Sequence, residues 1–388
     1  MYDYIIVGAG ISGSVLARSL AEKEKKILLV EKRNHIAGNI YDLKNDIGIL
    51  VQKYGPHIFH TNIQEVWTFL KKFGKWNDYY LKCMVFMNGK YTPSPFNFQT
   101  IDDYFTEEKA KEIKDHIAKI YGNASKSTII DMLNSEDNVI RQYANFLFEN
   151  DYSLYTAKQW GIKPNEIDVS VLKRVPVLFS YKNGYFEDKY QAMPENGFTK
   201  IVENILNHQN ITVKLNVNAK DKIVIDLQRK QTLYENKKMP LVWTGALDEL
   251  FDFKYGKLPY RSLCFKWKTF DKDSYQEAPV VAYPQENGYT RITEYKKLPF
   301  QNVPGKTTVA FEYPLMIDEK NIAEPYYPIP TEQNQKMYQK YRADADQLEN
   351  LTLCGRLAEY RYYNMDQAVF NALKISRNIR TRTWTHYL

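Results

Sequence analysis

The chain has 388 residues, room for two or three folding units, and a formal net charge of +7 that is modest for this length. Its lysines and arginines are scattered among acids, which argues against nucleic acid as a partner and favours a small anionic ligand. Cys83, Cys264 and Cys354 match no metal-ligand spacing, no secretory leader is evident and no apolar run reaches the roughly 20 residues that span a bilayer, so the expectation is buried thiols, no metal, no membrane and a cytoplasmic location.

The first predicted element is a strand, the short β-branched run Tyr4-Ile5-Ile6-Val7. Gly8-Ala9-Gly10-Ile11-Ser12-Gly13 turns it into Ser14 to Leu20, whose apolar residues have helical spacing. A second strand, Ile27 to Val30, ends in Glu31. A GxGxxG turn between strand and helix, with an acid about 20 residues on, is a dinucleotide-binding fingerprint. Gly8 permits the tight turn, Gly10 lets the backbone approach a pyrophosphate, and Gly13 lets helix and strand pack closely. The helix N-terminus supplies positive potential, and Glu31 is placed for a ribose hydroxyl.

Between about Ile101 and Trp160 the pattern becomes lysine-rich and helically spaced, as in "TEEKAKEIKDHIAKIY", and a small helical insertion is expected. "FTKIVENILNH", "NITVKLNV" and "PLVWTGALD" read as a helix and strands returning to the nucleotide-binding unit. From about Gly256 to Tyr313 short alternating stretches separated by Pro, Gly and Asn predict antiparallel strands. "TLCGRLAEYRYYNMDQAVFNAL" reads as strand, glycine turn and a helix beginning near Asn364. No second GxGxxG follows residue 13, which weakens the case for an oxidoreductase using two dinucleotides. The 31 tyrosines and 19 phenylalanines exceed what a core demands, and tyrosine hydroxyls suit a phosphate or sugar held in a partly apolar pocket.

The segments "EKRNHIAGN", "YGPHIFHT", "YTAKQW", "KRVPVLFSYKNGYFEDKYQAMP", "YTRITEY", "EYP", "EPYYP" and "GRLAEYRYYNMD" occur in that order. Together they resemble the bacterial UDP-galactopyranose mutases, from residue 1 to about 375. The resemblance implies an α/β fold: a discontinuous Rossmann-like FAD-binding domain (1–78, 195–250 and 330–388), a helical insertion (98–175) and an antiparallel sheet domain (79–97, 176–194 and 251–329). It also implies a cycle without net redox change, in which N5 of reduced FAD attacks the anomeric carbon, UDP leaves, and the sugar opens and recloses as a furanose. An external reductant such as NAD(P)H or dithionite, and a homodimer, are implied as partners.

By the same resemblance Arg174 lies on a loop that closes over the substrate, and Arg291 sits at its diphosphate. Paired guanidiniums and tyrosine hydroxyls stabilise such a leaving group through charge-assisted bonds. Tyr155, Tyr185, Tyr327 and Tyr362 match the diphosphate-binding tyrosines, and Trp160 the residue flanking the uridine base. His57 and His60 are implied beside the flavin ring, with His60 tuning it, and Arg356 touches both flavin and sugar. Ile11, Ser12, Lys32, Arg33, Gly38, Asn39, Gly355 and Met365 complete the implied cofactor contacts. Asn364 would cap a helix whose N-terminus favours an anionic reduced ring.

Four departures concern the substrate. Asn364 stands where the family has aspartate, Asp366 where histidine is common, Asp151 and Tyr152 where more apolar residues are usual, and "YTPSPFNF" replaces an aromatic-Pro sequence. UDP-N-acetylgalactopyranose and dTDP-fucopyranose therefore stay open as substrates, although His60, where N-acetyl-accepting relatives tend to carry arginine, leans toward plain galactose. An amine-oxidase-like flavoenzyme on the same fold, and a non-catalytic flavoprotein, are the readings from other classes.

Overall fold

The computed structural model describes residues 1–160, 175–316 and 323–379. Tyr4–Val7, Ile27–Val30 and Leu241–Trp243 are almost wholly buried apolar strands. Segments that hide both faces suit a parallel sheet covered by helices. They lie in a five-stranded sheet ordered Ile211–Lys214, Ile27–Val30, Tyr4–Val7, Leu241–Trp243, Leu351–Leu353, with every pairing parallel. The fold is α/β, and this Rossmann-like sheet draws its strands from three separated stretches of chain.

One face of the sheet packs the helices Ile11–Ala21, Gly197–Leu206 and Met365–Asn378 through a core that includes Leu16, Phe198, Ile201 and Val369. The opposite face buries Leu247, Leu250, Tyr338, Tyr341 and Tyr360. The glycine turn explains itself sterically. Gly8 has φ +102 and a Cβ there would overlap Thr244 Oγ1, while a Cβ on Gly13 would collide with the Gly8 carbonyl oxygen. Gly10 has room, since its Cβ would meet only Gly38 Cα at 3.8 Å.

The expected helical insertion runs from Phe98–Tyr104 through Glu107–Tyr121, Ile129–Leu133 and Asn138–Leu147. It continues into a π-helical turn, Phe148–Tyr152, and the helix Ser153–Trp160. Asn97, Thr106, Thr128 and Asp137 each accept backbone N–H groups at helix starts, which satisfies donors the helices cannot satisfy themselves.

A seven-stranded sheet forms the third part, ordered Tyr327–Pro328, Tyr260–Phe270, Thr307–Met316, Arg291–Glu294, Val280–Ala282, Cys83–Met87, Lys90–Ser94. It departs from a wholly antiparallel arrangement at one place, where Val280–Ala282 runs parallel to Cys83–Met87. Cys83–Met87 comes from far upstream, so no hairpin constrains its direction. The strand Tyr190–Pro194 pairs with Phe59–Thr61 and Trp76–Asp78 and so sits with the first part of the chain, not with this sheet. One thiol expectation is corrected: Cys83 and Cys354 are buried, but Cys264 is exposed, because the face of Tyr260–Phe270 that buries Tyr260 and Ser262 loses its cover from Cys264 onward. Among the described residues no helix is long and apolar enough to cross a membrane.

Because Gly13, unlike Gly10, is jammed against backbone, G13A should lower stability by about 1–3 kcal/mol and G10A by less than about 0.5 kcal/mol, read from urea unfolding without added ligand. Equal losses in the two variants would contradict this account of the turn.

Candidate active site

The nucleotide cradle is assembled from the first βαβ unit. Glu31 accepts the Ala9 N–H at 2.8 Å through one oxygen and the Arg33 N–H at 2.9 Å through the other, which fixes the carboxylate at the strand end. Arg33 donates to Asn39 Oδ1 at 3.1 Å, pairs with Glu324 at 3.0 Å and lies over the Tyr54 ring at 4.5 Å; Lys32 approaches the same Glu324 at 3.7 Å. Gly38, with φ +55, brings its backbone against Gly10, and Gly355, with φ +100, sits against Ser12 Oγ. The helix Ile11–Ala21 starts at Gly10 with no side-chain cap and no acid in its first turn. Its leading N–H groups, including those of Ile11, Ser12 and Gly13, therefore face no competing side chain, which is the donor set a diphosphate needs. The residues present fit a dinucleotide cofactor.

Beyond the cradle lies a cavity of about 420 Å³. It gathers ten of the expected residues: His57, His60, Tyr155, Tyr185, Arg291, Tyr327, Arg356, Tyr362, Asn364 and Met365. Gly8, Gly10, Ile11, Ser12, Gly13, Glu31, Lys32, Arg33, Gly38, Asn39 and Gly355 belong to the cradle and do not line it. Arg174 and the Trp160 side chain lie outside the described residues.

Strand register places the central charge. Arg291 pairs with Glu312 across Arg291–Glu294 and Thr307–Met316, so both side chains leave the same face, and Arg291 Nε meets Glu312 Oε2 at 2.8 Å. Glu312 is buried. Burial opposes the Arg291 charge, but Glu312 outweighs it and holds the guanidinium more firmly protonated than usual. Arg356 donates to the carbonyls of Tyr326 at 3.2 Å and Tyr363 at 2.7 Å, which aims it between the Tyr327 and Tyr362 rings at 5.2 and 5.5 Å. Burial raises the Tyr155 and Tyr327 hydroxyls despite the nearby arginines, so both are neutral donors.

At the cradle end His60 stacks on Phe186 at 3.7 Å, and its Nδ1 lies 2.9 Å from Asp188 Oδ2. His57 is held by Gln52 through its N–H and by the Gly55 carbonyl at 2.9 Å through Nδ1. Burial drives its imidazole down to about 4, the Gly55 carbonyl resists, and Arg356 and Arg291 push the same way as burial. Asn364 caps Met365–Asn378, its N–H donating to Gln367 Oε1 at 3.0 Å. Asp366 in the first turn accepts the Gln367 N–H at 2.8 Å and the Thr61 hydroxyl at 2.9 Å, so an acid already occupies part of that helix end. Among the described residues no group of three His, Cys, Asp or Glu side chains could hold a metal ion.

Glu312 and Asp188 were not foreseen from sequence. Both fall inside quoted segments, "EYP" and "FEDKY", but nothing local marks a carboxylate whose partner lies 21 or 128 residues away.

Residues 150–362 match a family model described as UDP-galactopyranose mutase, and residues 6–73 one described as an NAD(P)-binding Rossmann-like domain. The chain is 37% identical to the UDP-galactopyranose mutase of Mycoplasma genitalium, covering 97% of this chain and 95% of that one. It is 34% identical to the dTDP-fucopyranose mutase of Escherichia coli, covering 97% and 98%. A crystal structure of reduced UDP-galactopyranose mutase superposes with a TM-score of 0.69 at 17% identity, covering 97% and 93%.

A folded His57 takes its proton near pH 4, whereas an ordinary histidine does so near 6.5, so the unfolded chain binds more protons between those values. His57 therefore costs stability as the pH falls through that window. H57Q should gain on the wild type between pH 6.5 and pH 4 in urea unfolding; a difference that is the same at both pH values would show that His57 is not buried neutral.

Proposed function

The chain belongs to the UDP-galactopyranose mutase family, and from that premise we propose that it interconverts UDP-galactopyranose and UDP-galactofuranose with reduced FAD. It is an isomerase, an intramolecular transferase of that mutase type, with a flavin cofactor and a nucleotide-sugar substrate. The observation that carries the finer reading is the Arg291–Glu312 pair, set in one cavity with Arg356, Tyr155, Tyr185, Tyr327 and Tyr362. Two guanidiniums and several neutral hydroxyls are what a departing diphosphate requires.

In this reading the flavin is held by the cradle: the N-terminus of Ile11–Ala21 at its diphosphate, Glu31 at a ribose, and Lys32, Arg33, Gly38, Asn39 and Gly355 around them. When bound and reduced, it supplies the nucleophile for the anomeric carbon, with no net change of redox state. Arg291, oriented by Glu312, and Arg356, oriented by two backbone carbonyls, take the negative charge that develops on the nucleoside diphosphate. His60, braced by Asp188 and Phe186, faces the cofactor side with His57 and Met365 and sets the polarity there. Asn364 presents an amide at the same end. The aromatic walls exclude water, which protects an opened sugar from side reactions.

Arg174 closing over the substrate, Trp160 flanking the base, NAD(P)H as reductant, a homodimer and a cytoplasmic location complete the proposal. So does a division into a flavin-binding unit of 1–78, 195–250 and 330–388, a helical unit of 98–175 and a sheet unit of the remainder, except that the strand Tyr190–Pro194 goes with the flavin-binding unit. A second reading, dTDP-fucopyranose as the substrate, has its own support in the full-length similarity to the Escherichia coli enzyme.

Dithionite-reduced protein, incubated anaerobically with UDP-galactopyranose or dTDP-fucopyranose, should yield the corresponding furanose from one of them by chromatography, and the oxidised protein none. Furanose from neither, with flavin bound and reduced, would sink both readings. R291A should lower turnover by about 10²–10³-fold while retaining flavin, and normal turnover would remove Arg291 from the site.

A further inference from the structure

The end of the cavity formed by the helical part carries a side chain the mechanism above does not use. Asp151 lies in the π-helical turn Phe148–Tyr152, is only 9% exposed, and lines the cavity four residues before Tyr155, on the same helical face. A buried carboxyl is costly unless it is hydrogen-bonded. Among the described residues none donates to Asp151; burial and the charge of Lys158 are what act on it. Lys158 is committed elsewhere, donating to the carbonyls of Tyr283, Glu286 and Tyr289 at 2.6, 2.6 and 2.8 Å. The other titratable groups facing it are phenols. Tyr104 donates to the Met87 carbonyl at 2.8 Å and Tyr152 to the Val175 carbonyl at 3.0 Å, while Tyr155 points toward Arg291. The polar atoms of Asp151 are thus left for whatever fills the cavity.

The surroundings describe that occupant. Phe96 and Tyr152, 5.6 Å apart, offer apolar ring surface, and Thr156 and Gln159 offer polar groups beside Asp151. A flat heterocycle with apolar faces and a polar edge matches such walls. Orientation follows from the reaction. The sugar must face the cradle, the diphosphate must meet Arg291 and Arg356, and the nucleobase is then directed to the Asp151 end. This step rests on the nucleotide-sugar reading.

We infer that Asp151 reads the imide edge of a pyrimidine base, its carboxylic O–H donating to a ring carbonyl oxygen and its carbonyl oxygen accepting the ring N–H. Uracil and thymine present that donor–acceptor pair, so Asp151 selects the base and tolerates either pyrimidine. Burial pushes its carboxyl up to about 7, with Lys158 resisting, so the acid form exists at working pH. Above that value an ionised Asp151 sets a negative oxygen against the base carbonyl. Base binding therefore retains or takes up one proton and weakens as the pH rises.

The test is calorimetric titration of flavin-loaded, oxidised protein with UDP-galactose at about pH 6 and about pH 8. Wild-type affinity should fall about tenfold between them, with proton uptake at the higher pH detected in buffers of different ionisation enthalpy. D151N, whose amide keeps one donor and one acceptor at every pH, should show neither effect. D151L should bind about tenfold more weakly than wild type at the lower pH. A wild-type profile as flat as that of D151N, or D151L binding as tightly as wild type, overturns the inference and leaves the nucleotide-sugar reading intact. Should D151L lose its flavin, the comparison of wild type with D151N decides alone. Failure of both UDP-galactose and a dTDP-sugar to bind any of the proteins at either pH overturns both readings.

Discussion

Arg291 and Glu312 stand opposite one another on neighbouring strands, and the cavity is organised around that pairing. Neither charge could be kept there alone, since a buried carboxylate or guanidinium without its partner bears a desolvation cost of several kcal/mol. Together they leave Arg291 charged, rigid and with its remaining N–H groups turned to the cavity. The pairing depends on register, which sheet pleating protects: a slip of one residue would send the two side chains to opposite faces. The seven-stranded sheet thus acts less as a wall than as a jig for one guanidinium.

Around it the cavity is positive in charge but neutral in its hydroxyls. Burial keeps Tyr155 and Tyr327 protonated, so they add donors without adding negative charge beside Arg291 and Arg356. A ligand with a doubly charged diphosphate is favoured at the centre. The periphery is gentler, with Phe186 stacked on His60 at one end and Phe96 near Tyr152 at the other. Charge concentrated in the middle and aromatic surface at both ends divides the cavity into three compartments, each suited to a different part of one elongated molecule.

Much of this was legible in advance wherever the signal was local. The strands Tyr4–Val7 and Ile27–Val30 and the helix starting at Asn364 follow from apolar periodicity, glycine turns and capping chemistry, all of which act over a few residues. The segments carrying Arg291, Arg356 and the four tyrosines were visible as motifs, and the fold brings them to one cavity. What stayed hidden depends on pairing across long stretches of chain. Glu312 has meaning only opposite Arg291, Asp188 only beside His60, and the parallel run of Cys83–Met87 next to Val280–Ala282 follows from neither propensity nor spacing. The exposure of Cys264 stays hidden for a related reason: it shares a strand face with the buried Tyr260 and Ser262, and where the cover on that face ends is decided by distant parts of the chain.

The order of strands in the parallel sheet has a consequence for how the protein is made. Tyr4–Val7 is synthesised well before its neighbour Leu241–Trp243, which follows more than two hundred residues later, and Leu351–Leu353 and Met365–Asn378 come later still. The glycine loop meets Gly355 only after more than three hundred further residues have been made. During synthesis the βαβ unit carrying Tyr4–Val7 and Ile27–Val30 waits with both edges of its strand pair open, since Ile211–Lys214 and Leu241–Trp243 come later, a state in which chaperones have something to hold. The glycine signature therefore becomes a closed cradle only once Leu241–Trp243, Leu351–Leu353 and Gly355 have joined the sheet that carries it.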